Sequence, residues 1–210
     1  MRIGIIGSGN IGANAARLFV RAGHEVLLSN SRGGHGLDAL VAELGGKARA
    51  ATIEEAARAG EVLLVAIPFG KFRTLPADAF EGKIVIDAGN YYPGRDGNFA
   101  ELDAGEATSS ELLAAHLKGA RLVKGFNTIW FEHLRTQGDV GLPLEERRAI
   151  FVAGDDSGAK EAVARLIEET GFAAVDTGSL REGGRRQQPG SPVYNKELTV
   201  REAAEVLSAA

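Results

Sequence analysis

The segment Gly7-Ser8-Gly9-Asn10-Ile11-Gly12 constrains this chain more than any other stretch. Its three glycines follow an apolar run, Arg2–Ile6, and open a helical pattern over Ile11–Val20. A backbone that leaves a strand and enters a helix within so few residues needs a tight turn, which Gly7 permits. Gly12 removes the side chain where helix and strand must pack closely, and Gly9 leaves the outer face of the turn bare. The helix start then offers unpaired N–H groups and the positive end of its dipole, a setting suited to a phosphate.

The rest of the chain keeps the same alternation. Strand patterns occur at Arg2–Ile6, His24–Ser29, Lys47–Ala50, Val62–Ile67, Lys83–Asp87, Arg121–Phe126, Arg148–Ala153 and Ala173–Asp176. Several are continuous Val/Ile/Leu runs, as in strands covered on both faces. Helix starts are marked by S/T-x-x-E capping boxes at Thr52-Ile53-Glu54-Glu55, Thr108-Ser109-Ser110-Glu111 and Thr199-Val200-Arg201-Glu202. Gly23 and Gly171 stand where helix C-terminal glycines belong. The pattern predicts an α/β fold, a Rossmann-type doubly wound and mostly parallel sheet with a small α/β C-terminal portion. Residues 1–128 form the expected dinucleotide-binding unit, and 129–210 a smaller part completing an acceptor cleft. Two stretches break the rhythm: the turn-rich Asn90–Asn98, and Gly178–Asn195, expected as a long loop of function or disorder.

Composition narrows the chemistry. The chain has 210 residues, a net charge of −4, no cysteine, one methionine and four scattered histidines. Thiolate zinc sites, iron–sulfur clusters and a cysteine nucleophile are therefore excluded, and no metal site is expected. The acidic balance shows no footprint for nucleic acid, and no apolar run reaches the length of a membrane span. The N-terminus runs straight into the glycine turn without a signal-peptide pattern, so a soluble, cytoplasmic protein is expected.

The second strand selects the dinucleotide. NAD-binding units usually end it in Asp or Glu, which accepts from the ribose 2′-hydroxyl. Here it ends in Ser29-Asn30-Ser31-Arg32, with no carboxylate. Arg32 can form a fork with a 2′-phosphate, with Ser31 donating beside it, which favours NADP(H). A surface arginine in a solvated turn is the plainer reading of Arg32.

These features together resemble the F420-dependent NADP oxidoreductases. The shared residues are Gly7–Gly12, Ala22–Val26, Ser31-Arg32, Ala66–Phe69 and Val123–Thr128. The nucleotide-binding core also resembles ferric reductase domains that use flavin. The resemblance implies a Rossmann domain with a small C-terminal part, usually dimeric, that moves hydride between NADPH and coenzyme F420. It assigns Gly7, Gly9 and Gly12 to the pyrophosphate, lined by Ser8, Asn10 and Ile11, and Ser31 and Arg32 to the 2′-phosphate. Ile67 and Pro68 would border the nicotinamide, with Asn127 near the acceptor cleft. Gly36 stands where F420-using members tend to carry a second basic residue, which leaves coenzyme F420, FMN and FAD all open as acceptor.

Such hydride transfer asks the protein for placement more than for acid–base groups. No triad or carboxylate pair is visible, and no catalytic residue can be named. Ligands of open α/β sheets lie beyond the C-terminal strand ends. That adds Ala88, Gly89 and Asn90 to the expected site; as turn residues, Asn90 and Asn127 would serve equally as caps. Tyr91 and Tyr92 would offer a stacking face or a proton donor, and the Trp130–His133 cluster a ring-flanking wall, although such clusters are more often core. The expected partner is a small-molecule redox acceptor. Two other readings stay open: a small-substrate NADP-dependent dehydrogenase, and an NADP(H) sensor without turnover.

Overall fold

The computed structural model describes residues 1–209. Eight strands form one sheet: β1 (Arg2–Ile6), β2 (Glu25–Ser29), β3 (Ala48–Ala50), β4 (Val62–Val65), β5 (Ile84–Asp87), β6 (Arg121–Lys124), β7 (Ala149–Gly154) and β8 (Ala173–Asp176). Their order is β3-β2-β1-β4-β5-β6-β7-β8. The first six strands are parallel, β7 turns antiparallel to β6, and β8 runs parallel to β7. This is the doubly wound arrangement. Its order reverses between β1 and β4, so their C-terminal ends diverge into a crevice.

Strand alternation divides the core into two layers. Ile3 and Ile5 of β1, with Val62 and Leu64 of β4, pack below Phe19 of the helix Asn10–Arg21 and Val163 of the helix Ser157–Glu169. Ile6, Leu63 and Val65 face the opposite layer, with Ala56, Phe72 and Phe80. Each such fully buried Leu, Ile or Phe stabilises the fold by about 1.5–3 kcal/mol relative to exposure. Gly4 matters here, because a Cβ on it would meet the Ala56 carbonyl oxygen at 2.4 Å. The helix Ile53–Ala59 can therefore lie directly on β1.

All three capping boxes form with both reciprocal hydrogen bonds. The strands are shorter than their apolar runs: Ile67 and Phe126 lie beyond the ladders, in the loops that line the crevice. The segment Gly178–Asn195 also departs from expectation, because its middle is a helix, Glu182–Gln187. Gly183 lets that helix rest on β7, since a Cβ there would come within 2.8 Å of the Ala153 Cβ. Gln187, fully buried, fixes it by donating from Nε2 to Thr177 Oγ1 at 2.7 Å. Among the described residues, no helix is long and apolar enough to cross a membrane.

Candidate active site

Two cavities open at the sheet's switch point. The larger, about 960 Å³, lies between the glycine turn, Asn30-Ser31 and the segment Lys71–Leu75. The smaller, about 350 Å³, lies between the helix start at Gly9–Ile11, the β5 loop at Ala88–Asn90, and Asn127. Gly9, Ala66, Ile67 and Pro68 line both.

The turn between them is built as its glycines require. Gly7 has φ +105°, and Gly12 is so close to it that a Cβ would stand 1.8 Å from the Gly7 carbonyl oxygen. A Cβ on Gly9, by contrast, would meet nothing within 4 Å. Gly9 caps the helix Asn10–Arg21 without any side-chain hydrogen bond to its first turn. The bare space and the free N–H groups together form a cradle that fits a phosphate.

Of the residues singled out from sequence, Gly7, Ser8 and Ser31 line the larger cavity, and Gly9, Ile67 and Pro68 line both. Asn10, Ile11, Ala88, Gly89, Asn90 and Asn127 line the smaller. Gly12 is buried beneath the turn. Arg32 is exposed beside the larger cavity without lining it, and its Nη2 lies over Gly36, where a Cβ would come within 3.1 Å. The Arg32 loop is held by Asn30, whose Oδ1 accepts from the backbone N–H of Arg32 (2.8 Å) and Gly34 (3.1 Å) while its Nδ2 donates to the His35 carbonyl (2.9 Å).

The two asparagines do more than cap turns. Asn90 Nδ2 donates to the Asn127 carbonyl (2.8 Å), and Asn127 Nδ2 donates to Asn90 Oδ1 (3.1 Å) and the Gln187 carbonyl (2.9 Å). With both amide protons engaged, Asn127 Oδ1 is a buried acceptor without a partner. An acceptor in that condition calls for a donor from outside the protein.

Beneath the β5 loop lies a buried ionic network. Lys124 Nζ donates to the Gly89 carbonyl (2.9 Å), Ser110 Oγ (3.1 Å) and Asp87 Oδ2 (3.3 Å). Asp87 also accepts from Ser110 Oγ (2.7 Å) and from the Gly89 N–H (2.8 Å). All three ammonium protons are thus used, and the Asp87–Gly89 bend is fixed.

The outer wall is aromatic and polar. The Tyr92 and Tyr194 hydroxyls bond to each other, and the Arg95 guanidinium lies 4.8 Å from the Tyr92 ring centroid. Tyr91 points elsewhere, its hydroxyl bonded to Asp103 at 2.7 Å. Burial raises the pKa of the Asp96 carboxyl, but Arg95 and the N–H groups of Tyr92 and Gly70 outweigh it and hold that pKa below the usual range. Trp130 lines the smaller cavity at 48% exposure, so it is a rim residue and not core.

Sequence reasoning missed Asn30, Lys71, Lys124, Arg95 and Tyr194. A lysine inside the apolar run of β6 and an asparagine opening a turn were signals for Lys124 and Asn30. Nothing local marks Tyr194.

A doubly wound sheet with a bare glycine turn at its switch point defines a dinucleotide-binding α/β protein. Comparison with known proteins narrows the class. Residues 2–91 match the family described as NADP oxidoreductase, coenzyme F420-dependent. The crystal structure of a hypothetical protein from Sinorhizobium meliloti shares 31% identity over 95% of each chain, with a TM-score of 0.82. A candidate F420-dependent NADP-reductase from Arthrobacter sp. FB24 is 21% identical over 95% of this chain and 99% of its own, with a TM-score of 0.76. The reductive aminase of Aspergillus terreus in complex with NADPH and ethyl levulinate shares the fold at 19% identity and a TM-score of 0.61, but this chain covers only 56% of it. The F420-dependent family match thus covers residues 2–91, the nucleotide-binding part of the chain, and the protein is an NADP-dependent oxidoreductase.

Proposed function

We propose that the two cavities hold the two halves of NADP(H), and that hydride passes to coenzyme F420 or a flavin-like acceptor in the smaller one. The observation that carries this reading is the shared wall. Gly9, Ala66, Ile67 and Pro68 border both cavities, so a ligand spanning them crosses the bare turn at its phosphates. The N–H groups at the helix start would take the pyrophosphate. Ser31 and Arg32 would take the 2′-phosphate, at a strand end that offers no carboxylate to a free ribose hydroxyl. Lys71, which lines the larger cavity, adds a second cation on that side.

In the smaller cavity, the unpartnered Asn127 Oδ1 suits the amide N–H of a nicotinamide carboxamide. Ile67 and Pro68 would exclude water from one face of the ring. When bound, the cofactor supplies the hydride; the protein supplies orientation and a dry pocket. The exposed Trp130 ring offers a planar acceptor a stacking surface at the rim.

Mixing the purified protein with NADPH and oxidised coenzyme F420 tests this directly, with NADH as control. Rapid, NADPH-dependent loss of deazaflavin absorbance is the expected result. No loss in a sample that binds NADPH would remove F420 as the acceptor. Reduction of FMN or FAD in that sample would then identify a flavin-using enzyme.

A further inference from the structure

Tyr92 and Tyr194 stand 102 residues apart in sequence, and their hydroxyls meet. Among the described residues, neither hydroxyl has a second acceptor for its proton; the Asn195 side chain approaches Tyr194 as a donor. Two phenols carry two protons, and one bond between them uses one. The other proton has no acceptor within the protein, and both side chains line the smaller cavity.

The placement of the pair is enforced from both sides. Tyr92 is held by its N–H to Asp96 Oδ2 at 2.9 Å, beneath Arg95, which donates to the Asn90 carbonyl at 2.7 Å and to Asp96. Tyr194 is held by the next residue, whose N–H donates to the Thr128 carbonyl at 3.0 Å. That residue, Asn195, has φ +54°, and Phe126 has φ +63°. They are the two non-glycine residues with positive φ among the described residues, and both line this cavity. Left-handed backbone of this kind persists where surrounding structure imposes it, and it concentrates at functional sites.

We propose that the Tyr92–Tyr194 hydroxyl pair is the proton donor of this site, and that its acceptor is therefore a conjugated C=N or C=O compound taking up a proton together with the hydride. This rests on the NADP(H)-dependent hydride transfer proposed above. As hydride reaches the acceptor carbon, the π pair of the C=N or C=O bond moves to nitrogen or oxygen. The tyrosine O–H bond breaks and that heteroatom gains the proton. The phenolate left behind recovers a proton from its partner hydroxyl, and the pair is refilled from water at the mouth. Arg95 places a fixed positive charge over the ring that carries the transient negative charge. Arg95 and Asp96 are the charged groups packed against the pair on the Tyr92 side, and they are paired with each other. Burial, and then the Tyr92 hydroxyl, raise the pKa of Tyr194, which keeps it protonated through the neutral range.

The test uses Tyr92→Phe and Tyr194→Phe, which keep both rings. NADPH affinity, read by cofactor fluorescence, should stay within about threefold of the wild type and shows that each variant is folded. NADPH-driven reduction of oxidised coenzyme F420 should fall about 10²-fold or more in each. It should also become dependent on solvent protons, falling as pH rises from about 6 to about 9, where the wild type stays level. In ligand-free protein, ultraviolet titration of tyrosine ionisation should show Tyr194 ionising at lower pH once Tyr92 is Phe. Variants that reduce F420 within about twofold of the wild type, with the same pH profile, would overturn the proposal while leaving the hydride-transfer reading intact. An unmoved ionisation would overturn the pairing itself. A wild type that binds NADPH but reduces neither F420 nor a flavin contradicts both the hydride-transfer reading and the role assigned to the pair.

Discussion

Lys124 Nζ lies 3.3 Å from Asp87 Oδ2, and the two side chains are only 2% and 3% exposed. One ends β6 and the other ends β5, so this pair ties together the two strands whose loops form the floor of the smaller cavity. A buried pair of this kind is costly to break, because removing one partner leaves the other charge uncompensated. Lys124→Met should destabilise the protein by about 3–5 kcal/mol. The double variant Lys124→Met with Asp87→Asn should be less destabilised than Lys124→Met alone. Denaturant unfolding of the two variants checks this. Equal losses would mean that the charge itself is not what Asp87 suffers from.

Arg32 makes no hydrogen bond or ion pair through its side chain among the described residues, and its guanidinium is free to meet a phosphate. Arg32→Ala is expected to weaken NADPH binding by about 1.5–3 kcal/mol, the range for a hydrogen bond to a charged group, with NADH little changed. Isothermal titration with both cofactors decides it; equal losses would detach Arg32 from the 2′-phosphate.

Gly9 and Gly12 should fail in different ways. A side chain at Gly9 enters open space, so Gly9→Val should leave the melting temperature nearly unchanged while abolishing binding of NADPH and NADH alike. At Gly12 a Cβ would overlap the Gly7 carbonyl oxygen, so Gly12→Ala should lower stability itself. Thermal unfolding alongside cofactor titration separates the two. A stable Gly9→Val protein that still binds cofactor would place the phosphates elsewhere.

All eight strands were legible in the sequence; β1, β2, β4, β5, β6 and β7 carry β-branched and leucine runs that leave few alternatives to a buried strand, while β3 and β8 were placed by the alternation with helices. Their ends were not, since Ile67 and Phe126 are as apolar as the ladder residues but serve the crevice. The helix Glu182–Gln187 was invisible because two adjacent glycines argue against a local helix; the close packing on β7 that Gly183 permits supports it. The cavity lining at the strand ends was legible, since those positions follow from topology. The meeting of Tyr92 with Tyr194 was not, because nothing local in sequence encodes a contact between a β5 loop and a C-terminal strap.

The pH dependence of stability should show one identifiable carboxylate on its acid limb. A hydrogen-bonded Arg121 guanidinium, and next the Ala159 N–H, hold Asp156 well below the ordinary carboxylate pKa. Its folded pKa is therefore lower than its unfolded value of about 3.9. The stabilisation is fully present above that unfolded value and disappears as pH falls towards the folded pKa. Asp156→Asn should flatten this part of the stability profile and do less at high salt, since the pair is exposed to solvent. An unchanged acid limb in chemical denaturation would mean that the pair contributes nothing.

Trp130 is the only tryptophan of the chain, and it lines the cavity assigned to the nicotinamide. Its emission therefore reports the central claim without a label. Titration with NADPH should quench Trp130 fluorescence saturably and raise nicotinamide emission by energy transfer, at concentrations well below those needed for NADH. No quenching by either cofactor, or equal affinity for both, would contradict the placement of NADP(H) across the two cavities.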